Sequence, residues 1–126
     1  MNIFSDFYSR MQTAQRLGLP SVGIPWTHKI YRFGILLKRL RYIEDIECVQ
    51  DPKKKSCTIW FHLKPGSFSH LKQISKPSKK VYKKAKDLSP YKKAYGSFIL
   101  STPMGLLSCH EAQALHIGGE LMCEIY

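Results

Sequence analysis

The fold is decided by the last thirty residues, 97–126, which read SFILSTPMGLLSCHEAQALHIGGELMCEIY. Apolar residues flank the segment Thr-Pro-Met-Gly at residues 102–105, a pattern that predicts a β-hairpin. Proline at the second turn position and Gly105 at the fourth are typical of a type I turn, because proline presets φ and glycine tolerates the exit geometry. The sequence therefore predicts two antiparallel strands at the start of this segment.

A short helix and a final strand are expected after the hairpin. Ser108 and Glu111 have the spacing of a capping box, in which each side chain satisfies a free backbone N–H group at a helix start. We predict a helix over residues 109–117, ended by the glycines at 118–119 through positive φ. Apolar and polar residues then alternate over 120–125, as in a half-buried strand.

Positive charge is concentrated in one part of the chain, which has a formal net charge of +11. Residues 72–93 contain nine lysines and one acid, whereas residues 94–126 contain three acids and no base. A lysine face kept only for solubility would be scattered. The concentration instead predicts a polyanionic partner, with nucleic acid as the leading candidate.

Several classes of protein are disfavoured by the sequence. No apolar run approaches the ~18 to 20 residues that span a bilayer, and residues 1–16 lack the apolar core of a secretory signal. We therefore expect a soluble protein with no membrane partner.

No cysteine belongs to a C-x-x-C pair, so we expect reduced core thiols. The cysteines are Cys48, Cys57, Cys109 and Cys123.

No catalytic or metal-binding motif stands out. The best candidates for zinc ligands are Cys109, His110, His116 and Cys123. Structural zinc sites usually draw on ligands two to four residues apart, and adjacent residues point to different faces of a helix. No nucleophile and base are paired, and no glycine loop is suited to phosphate. We predict no metal, no cofactor, no small-molecule substrate and no enzymatic activity.

The N-terminal half predicts the element order α-β-α-β-β. A helical apolar stripe covers residues 4–17, a short extended piece covers 21–25, and Thr27 is suited to cap a second helix. Strands are predicted over 43–50 and 57–64, joined by a lysine-bearing hairpin loop.

Two features of this half leave alternatives open. The second helix is basic and amphipathic, so it either lies on a membrane surface or, as we prefer, covers the sheet and turns an edge that includes Lys29 toward phosphate. Trp60 falls on the open face of the strand predicted over residues 57–64. It either packs under the first helix, which we favour, or offers a stacking surface.

A turn-rich segment at residues 65–67 marks the predicted boundary between two halves, 1–66 and 67–126. Beyond it, two short strands are expected on either side of Pro77, because proline cannot donate to a strand ladder. The lysines of this segment can neutralise phosphates without reading sequence. Three tyrosines among them suit stacking on ribose and bases, although buried tyrosines at strand ends give the same pattern. They are Tyr82, Tyr91 and Tyr95.

Three patches of sequence occur together, at spacings that one known family shares. They are ISKP at 74–77 followed by Lys80 and Tyr82; Ser101 and Thr102 with Gly105, EA at 111–112 and GGE at 118–120; and IP at 24–25 with Lys29 and YIED at 42–45. In this combination the chain resembles the family of bacterial-type small-subunit ribosomal protein eight over nearly its whole length.

The resemblance implies an α+β fold, in which an N-terminal α-β-α-β-β half packs against a mostly β C-terminal half with one short helix. It also implies binding to a central-domain stem of the small-subunit ribosomal RNA, beside neighbouring ribosomal proteins. The family's motifs nominate Ser101, Thr102, Gly105 and Glu120, with Tyr82 as a further candidate. The lysines nominated as phosphate contacts are Lys29, Lys76, Lys79, Lys80, Lys83 and Lys84.

The chain departs from the family pattern at the turn. Pro103 and Met104 stand where the family usually has a hydroxyl and a cation. Such drift is more easily accepted in an organellar ribosome, so we expect a mitochondrial location, with plastid and bacterial cytoplasm as alternatives. The competing hypothesis for function is a free-standing basic module that binds nucleic acid or anionic lipid.

Overall fold

A computed structural model of the protein describes residues 3–88 and 96–126. The chain divides into two compact units, the first covering residues 3–69 and the second 70–126. The first unit takes in Ser67, whose hydroxyl donates to the Tyr42 carbonyl oxygen at 2.6 Å. Tyr91 and Tyr95, considered above as stacking residues, lie outside the described residues.

The first unit has the predicted element order. Its elements are α1 (Ile3–Arg16), β1 (Ser21–Pro25), α2 (His28–Arg39), β2 (Ile43–Asp51) and β3 (Ser56–Leu63). The strands are antiparallel and lie in the order β1-β3-β2. Thr27 caps α2 as predicted, because its hydroxyl oxygen accepts the Ile30 backbone N–H at 3.1 Å. Just after α2, Arg41 adopts a left-handed φ of 67°.

Three buried aromatic rings join both helices to one face of this sheet. Phe7 of α1 lies 5.3 Å, between ring centroids, from Phe33 of α2 and from Phe61 of β3. Gly34 lets α2 approach closely, since a Cβ atom there would come within 2.8 Å of the Phe61 ring. Helix α2 therefore covers the sheet, as preferred above, and Lys29 is exposed on it.

Trp60 lies on the other face of the sheet, because side chains alternate along a strand and Phe61 occupies the face that the helices cover. Its side chain is 38% exposed. The indole ring rests against Gly23 of β1, where a Cβ atom would lie 3.1 Å from Trp60 Cη2. The prediction that Trp60 packs under the first helix is therefore wrong.

Within residues 70–88 and 96–126, the second unit contains five antiparallel strands. Its elements are β4 (Leu71–Gln73), β5 (Tyr82–Lys83), a 3-10 turn (Ala85–Asp87), β6 (Ser97–Thr102), β7 (Gly105–Ser108), α3 (Cys109–Ala114) and β8 (Gly119–Ile125). The strand order is β4-β8-β6-β7, and β5 also pairs with β8. The predicted hairpin and the two short strands flanking Pro77 are confirmed, and the two units together give the α+β class. A buried cluster lies on one face of the sheet; it consists of Leu100, Leu107, Cys109, Ala112 and Leu121.

The capping box at the start of α3 is confirmed. The Glu111 N–H donates to Ser108 Oγ at 3.2 Å, and the Ser108 N–H donates to Glu111 Oε1 at 3.0 Å. The helix ends at Ala114, three residues earlier than predicted, and His116 adopts the left-handed conformation with a φ of 57°.

The paired glycines at 118–119 do not adopt positive φ, so the predicted reason for them is wrong. Their role is close packing. A Cβ atom on Gly118 would overlap the Lys83 carbonyl oxygen, and one on Gly119 would overlap the Ser101 carbonyl oxygen.

The cysteines are free thiols, and they differ in burial. Cys109 and Cys123 are buried, Cys57 is partly exposed and Cys48 is exposed. The expectation of core thiols is wrong for Cys48, because it lies on β2, an edge strand of the first sheet.

Candidate nucleic-acid interface

Four residues from separate parts of the sequence form one row across the second sheet. Ser101 of β6 pairs with Leu106 of β7 on one side and with Glu120 of β8 on the other. Glu120 pairs in turn with Tyr82 of β5. Directly opposed residues of antiparallel strands project from the same face. These four residues, defined here as the β-row, therefore share a face opposite the buried leucines.

The β-row is accessible and chemically mixed. Tyr82 is 63% exposed, Ser101 is exposed, and Glu120 and Leu106 are half-buried. A hydroxyl, a carboxylate and a phenol ring thus lie side by side on adjacent strands. The structure brings together three of the residues nominated from sequence, Ser101, Glu120 and Tyr82.

The glycine pair beside Glu120 sets the spacing of this row. Gly118 meets the backbone of β5 at Lys83, and Gly119 meets the backbone of β6 at Ser101. A larger residue at either position would need a shift of backbone rather than of a flexible side chain. Because residues 118 and 119 have no side chains, β5 and β6 can lie close to β8 on either side of Glu120.

The Thr102 hydroxyl forms two hydrogen bonds within the turn of the hairpin. Its Oγ1 donates to the Gly105 carbonyl oxygen at 2.7 Å and accepts the Met104 N–H at 3.2 Å. Gly105 has a φ of 106°, which disfavours any residue with a side chain. Thr102 and Gly105 therefore shape the turn, and the Thr102 proton is not available to a ligand.

Ser101 differs from its neighbour Thr102. Within residues 3–88 and 96–126, the Ser101 hydroxyl makes no hydrogen bond, and its side chain is exposed. A hydroxyl group both donates and accepts. Of the two hydroxyls nominated from sequence, Ser101 is the one placed to contact a ligand.

Five exposed lysines lie on the segment that leads into β5 and the 3-10 turn after it: Lys76, Lys79, Lys80, Lys83 and Lys84. None of them forms an ion pair with another part of the chain that the structure describes. Lys76 and Lys79 exchange two backbone hydrogen bonds of 3.0 Å around Pro77. Ser75, which is buried, accepts the Val81 N–H at 2.9 Å and so fixes the end of this loop.

Lys29 belongs to the first unit, in the first turn of α2. It is exposed, and it belongs to a different unit from the β-row. Its nomination stays a prediction.

Sequence reasoning missed one residue of this surface, Leu106, which stands opposite Ser101 at the end of the β-row. Met104, singled out above as a departure from the family pattern, lies at the hairpin tip and is 68% exposed. The hairpin register could have revealed Leu106, since a two-residue loop after Thr102 pairs Ser101 with Leu106.

Other kinds of site find no support in the part of the chain that the structure describes. No three His, Cys, Asp or Glu side chains there lie close enough to hold a metal ion.

Among the described helices, none has the length and apolar character needed to cross a bilayer.

The comparisons with known proteins all indicate the same family. The model of ribosomal protein S8 matches residues 2–126. Small ribosomal subunit protein uS8 of Sulfurimonas denitrificans is 30% identical over 99% of this chain and 98% of its own length. Protein uS8c of Helicosporidium sp. subsp. Simulium jonesii is 32% identical over 98% and 95%, respectively. Protein uS8 of Streptococcus pneumoniae is 29% identical over 97% and 95%.

The different use of the two hydroxyls predicts different effects on stability. Thr102→Ala removes two hydrogen bonds of the turn and should lower the free energy of unfolding by about 1 kcal/mol. Ser101→Ala removes no internal bond and should change it by less than about 0.5 kcal/mol. Urea unfolding of both variants makes the comparison. Equal losses in the two variants would contradict the assignment of Thr102 to the turn.

Proposed function

Because the chain belongs to the ribosomal protein S8 family, we propose that the β-row of its second unit binds the small-subunit ribosomal RNA. The chain is a structural component of the small ribosomal subunit and not an enzyme. The RNA element that we propose is a stem of the central domain, and neighbouring small-subunit proteins are the further partners.

The observation that carries the proposal is the pairing of Ser101, Glu120 and Tyr82 across three adjacent strands. Double-stranded RNA presents 2′-hydroxyl groups along a wide, shallow minor groove. The Ser101 hydroxyl can donate to or accept from such groups, and the Glu120 carboxylate accepts from them. The Tyr82 ring, at the outer end of the row, offers a surface for ribose or an unstacked base.

Glu120 also limits where phosphate can lie. An ionised carboxylate repels phosphate, so the centre of the β-row suits sugar hydroxyls and base edges rather than the backbone charge. Phosphates on either side are left to the lysines. Lys83 and Lys84 follow Tyr82 along an extended stretch of chain and are exposed, so two cations lie near one end of the row, Lys84 on the side of Tyr82 and Lys83 on the other.

The hairpin tip contributes no charge to this surface. Pro103 and Met104 occupy the two loop positions, and Met104 is exposed. The lysines from Lys76 to Lys84 therefore supply the electrostatic part of binding. They do so without reading sequence, since phosphate contacts position a protein rather than specify a base.

Binding of the cognate RNA stem should separate these two contributions. Ser101→Ala should weaken binding about fivefold or more, with little change in salt dependence, because it removes one neutral hydrogen-bonding group. Lys83→Ala combined with Lys84→Ala should reduce the slope of log K against log salt by about 1.5 to 2. Filter-binding titrations at several salt concentrations measure both effects.

The matched control is Lys53→Ala combined with Lys54→Ala, which makes the same change of charge on the β2–β3 loop of the first unit. It should leave the slope nearly unchanged. An equal fall in slope for both lysine pairs, or unaltered affinity of the Ser101 variant, would contradict the proposed roles.

We also propose that the protein acts in a mitochondrial ribosome. The proposal rests on the uncharged turn at Pro103 and Met104, which is more easily accepted where other proteins share the contact. Sedimentation of separated organelle lysates tests it: the protein should migrate with the mitochondrial small subunit. Migration with a plastid or bacterial small subunit would overturn this location and leave the family assignment intact.

A further inference from the structure

The first unit has a sheet face that its own helices leave open. We define this open face by Trp60, Thr58 and His62 of β3, Gly23 of β1 and Glu47 of β2, which share a side through the strand register. Val49, opposite Thr58, extends it and is 43% exposed. A surface of mixed apolar, polar and acidic character, with Trp60 at its centre, is thus left open by the two helices of the first unit.

The Trp60 ring packs against the neighbouring strand β1. Its outer atoms lie over Gly23, and the Thr58 methyl group flanks the same glycine, where a Cβ atom would come within 3.2 Å of it. A side chain at residue 23 would push the ring away. The indole therefore packs on the backbone of β1 and, being 38% exposed, offers part of its surface as a platform.

A carboxylate stands beside this platform. Glu47 is directly opposite Trp60 in the β2–β3 register, and paired side chains of this kind have Cβ atoms roughly 4.5 to 5.5 Å apart. His62 lies 3.2 Å from the Glu47 carboxylate, between Nε2 and Oε2. The side chain of Glu47 is still 62% exposed, so one side of the carboxylate remains open to a ligand.

The charge of this sheet favours a cationic occupant over RNA. Strands β1, β2 and β3 contain no lysine or arginine, whereas β2 alone contains four of the nine acidic residues of the chain: Glu44, Asp45, Glu47 and Asp51. Lys38 of α2 approaches the sheet and is paired with Asp45 at 2.8 Å. Asp45 is thus already paired, and Glu47, opposite Trp60 on the open face, is the exposed carboxylate that would repel phosphate and attract a cation.

Arginine fits the two groups better than lysine. A guanidinium plane stacks on an aromatic face and, at the same time, directs its N–H fork toward a carboxylate, and tryptophan is the strongest partner for such a cation. An ammonium group acts as a point charge and gains less from a flat ring and a carboxylate together.

We propose that the open face docks an arginine-bearing, apolar segment of a neighbouring protein, with one guanidinium group stacked on Trp60 and paired with Glu47. Apolar residues of the segment then cover Val49 and the methyl group of Thr58. This interaction goes beyond the binding of RNA by the second unit and does not depend on it.

The experiment uses the full chain and a short fluorescent peptide in which arginine alternates with valine. Fluorescence anisotropy should show binding although both molecules are cationic, and a peptide with lysine in place of arginine should bind more weakly. Trp60→Ala and Glu47→Gln should each weaken binding of the arginine peptide about tenfold or more. Asp87→Asn, which makes the same charge change in the second unit, should leave binding unchanged.

Circular dichroism confirms that each variant is folded, and Trp60→Phe, which keeps an aromatic face, should retain part of the affinity. Binding that is unaffected by Trp60→Ala and Glu47→Gln, or an absence of binding, would overturn the proposal. Loss of affinity for a single-stranded RNA in Trp60→Ala would overturn it as well, because the platform would then serve nucleic acid. Affinity for the ribosomal RNA stem should be the same in the Trp60 and Glu47 variants as in the unmodified protein.

Discussion

The second unit depends on the close approach of backbones at Gly118 and Gly119. Strand β8 accepts β5 on one edge and β6 on the other in this region, and a Cβ atom on either glycine would meet a carbonyl oxygen of one of these neighbours. Interiors are packed closely enough that such an overlap cannot be absorbed without moving a strand. The absence of two side chains is thus what allows Tyr82, Glu120 and Ser101 to stand in register.

In the RNA-binding role that we propose, this constraint sets a row without cations beside a strongly basic segment. The β-row carries hydroxyl and carboxylate groups suited to sugar edges, and the lysines from Lys76 to Lys84 would supply the attraction to phosphate. The turn is built by Thr102 and Gly105, whose polar groups bond to each other. Pro103 and Met104, which stand where the family usually has a hydroxyl and a cation, therefore leave the hairpin intact and remove one hydroxyl and one positive charge from its tip.

Much of the fold followed from local patterns. The alternation along β3 and β8, the capping box at Ser108, and the proline that separates β4 from β5 all act over a few residues, so the sequence alone predicts them. The row was not predictable in this way, because it depends on pairing between strands far apart in sequence. The same holds for Gly119, whose neighbour at Ser101 is known only once β6 and β8 are paired. The environment of Trp60 was predicted wrongly because alternation along a strand shows on which face of the sheet a residue lies, but not which element covers that face.

The glycine pair creates the surface that we propose to bind RNA, because it spaces the strands of the β-row. Gly119→Ala tests it most directly, since it keeps Ser101, Glu120, Tyr82 and every lysine while adding one methyl group against the Ser101 carbonyl oxygen. With a protein shown to be folded by circular dichroism, affinity for the ribosomal RNA stem should fall about tenfold or more, which corresponds to at least about 1.4 kcal/mol. Affinity equal to that of the unmodified protein would contradict the claim.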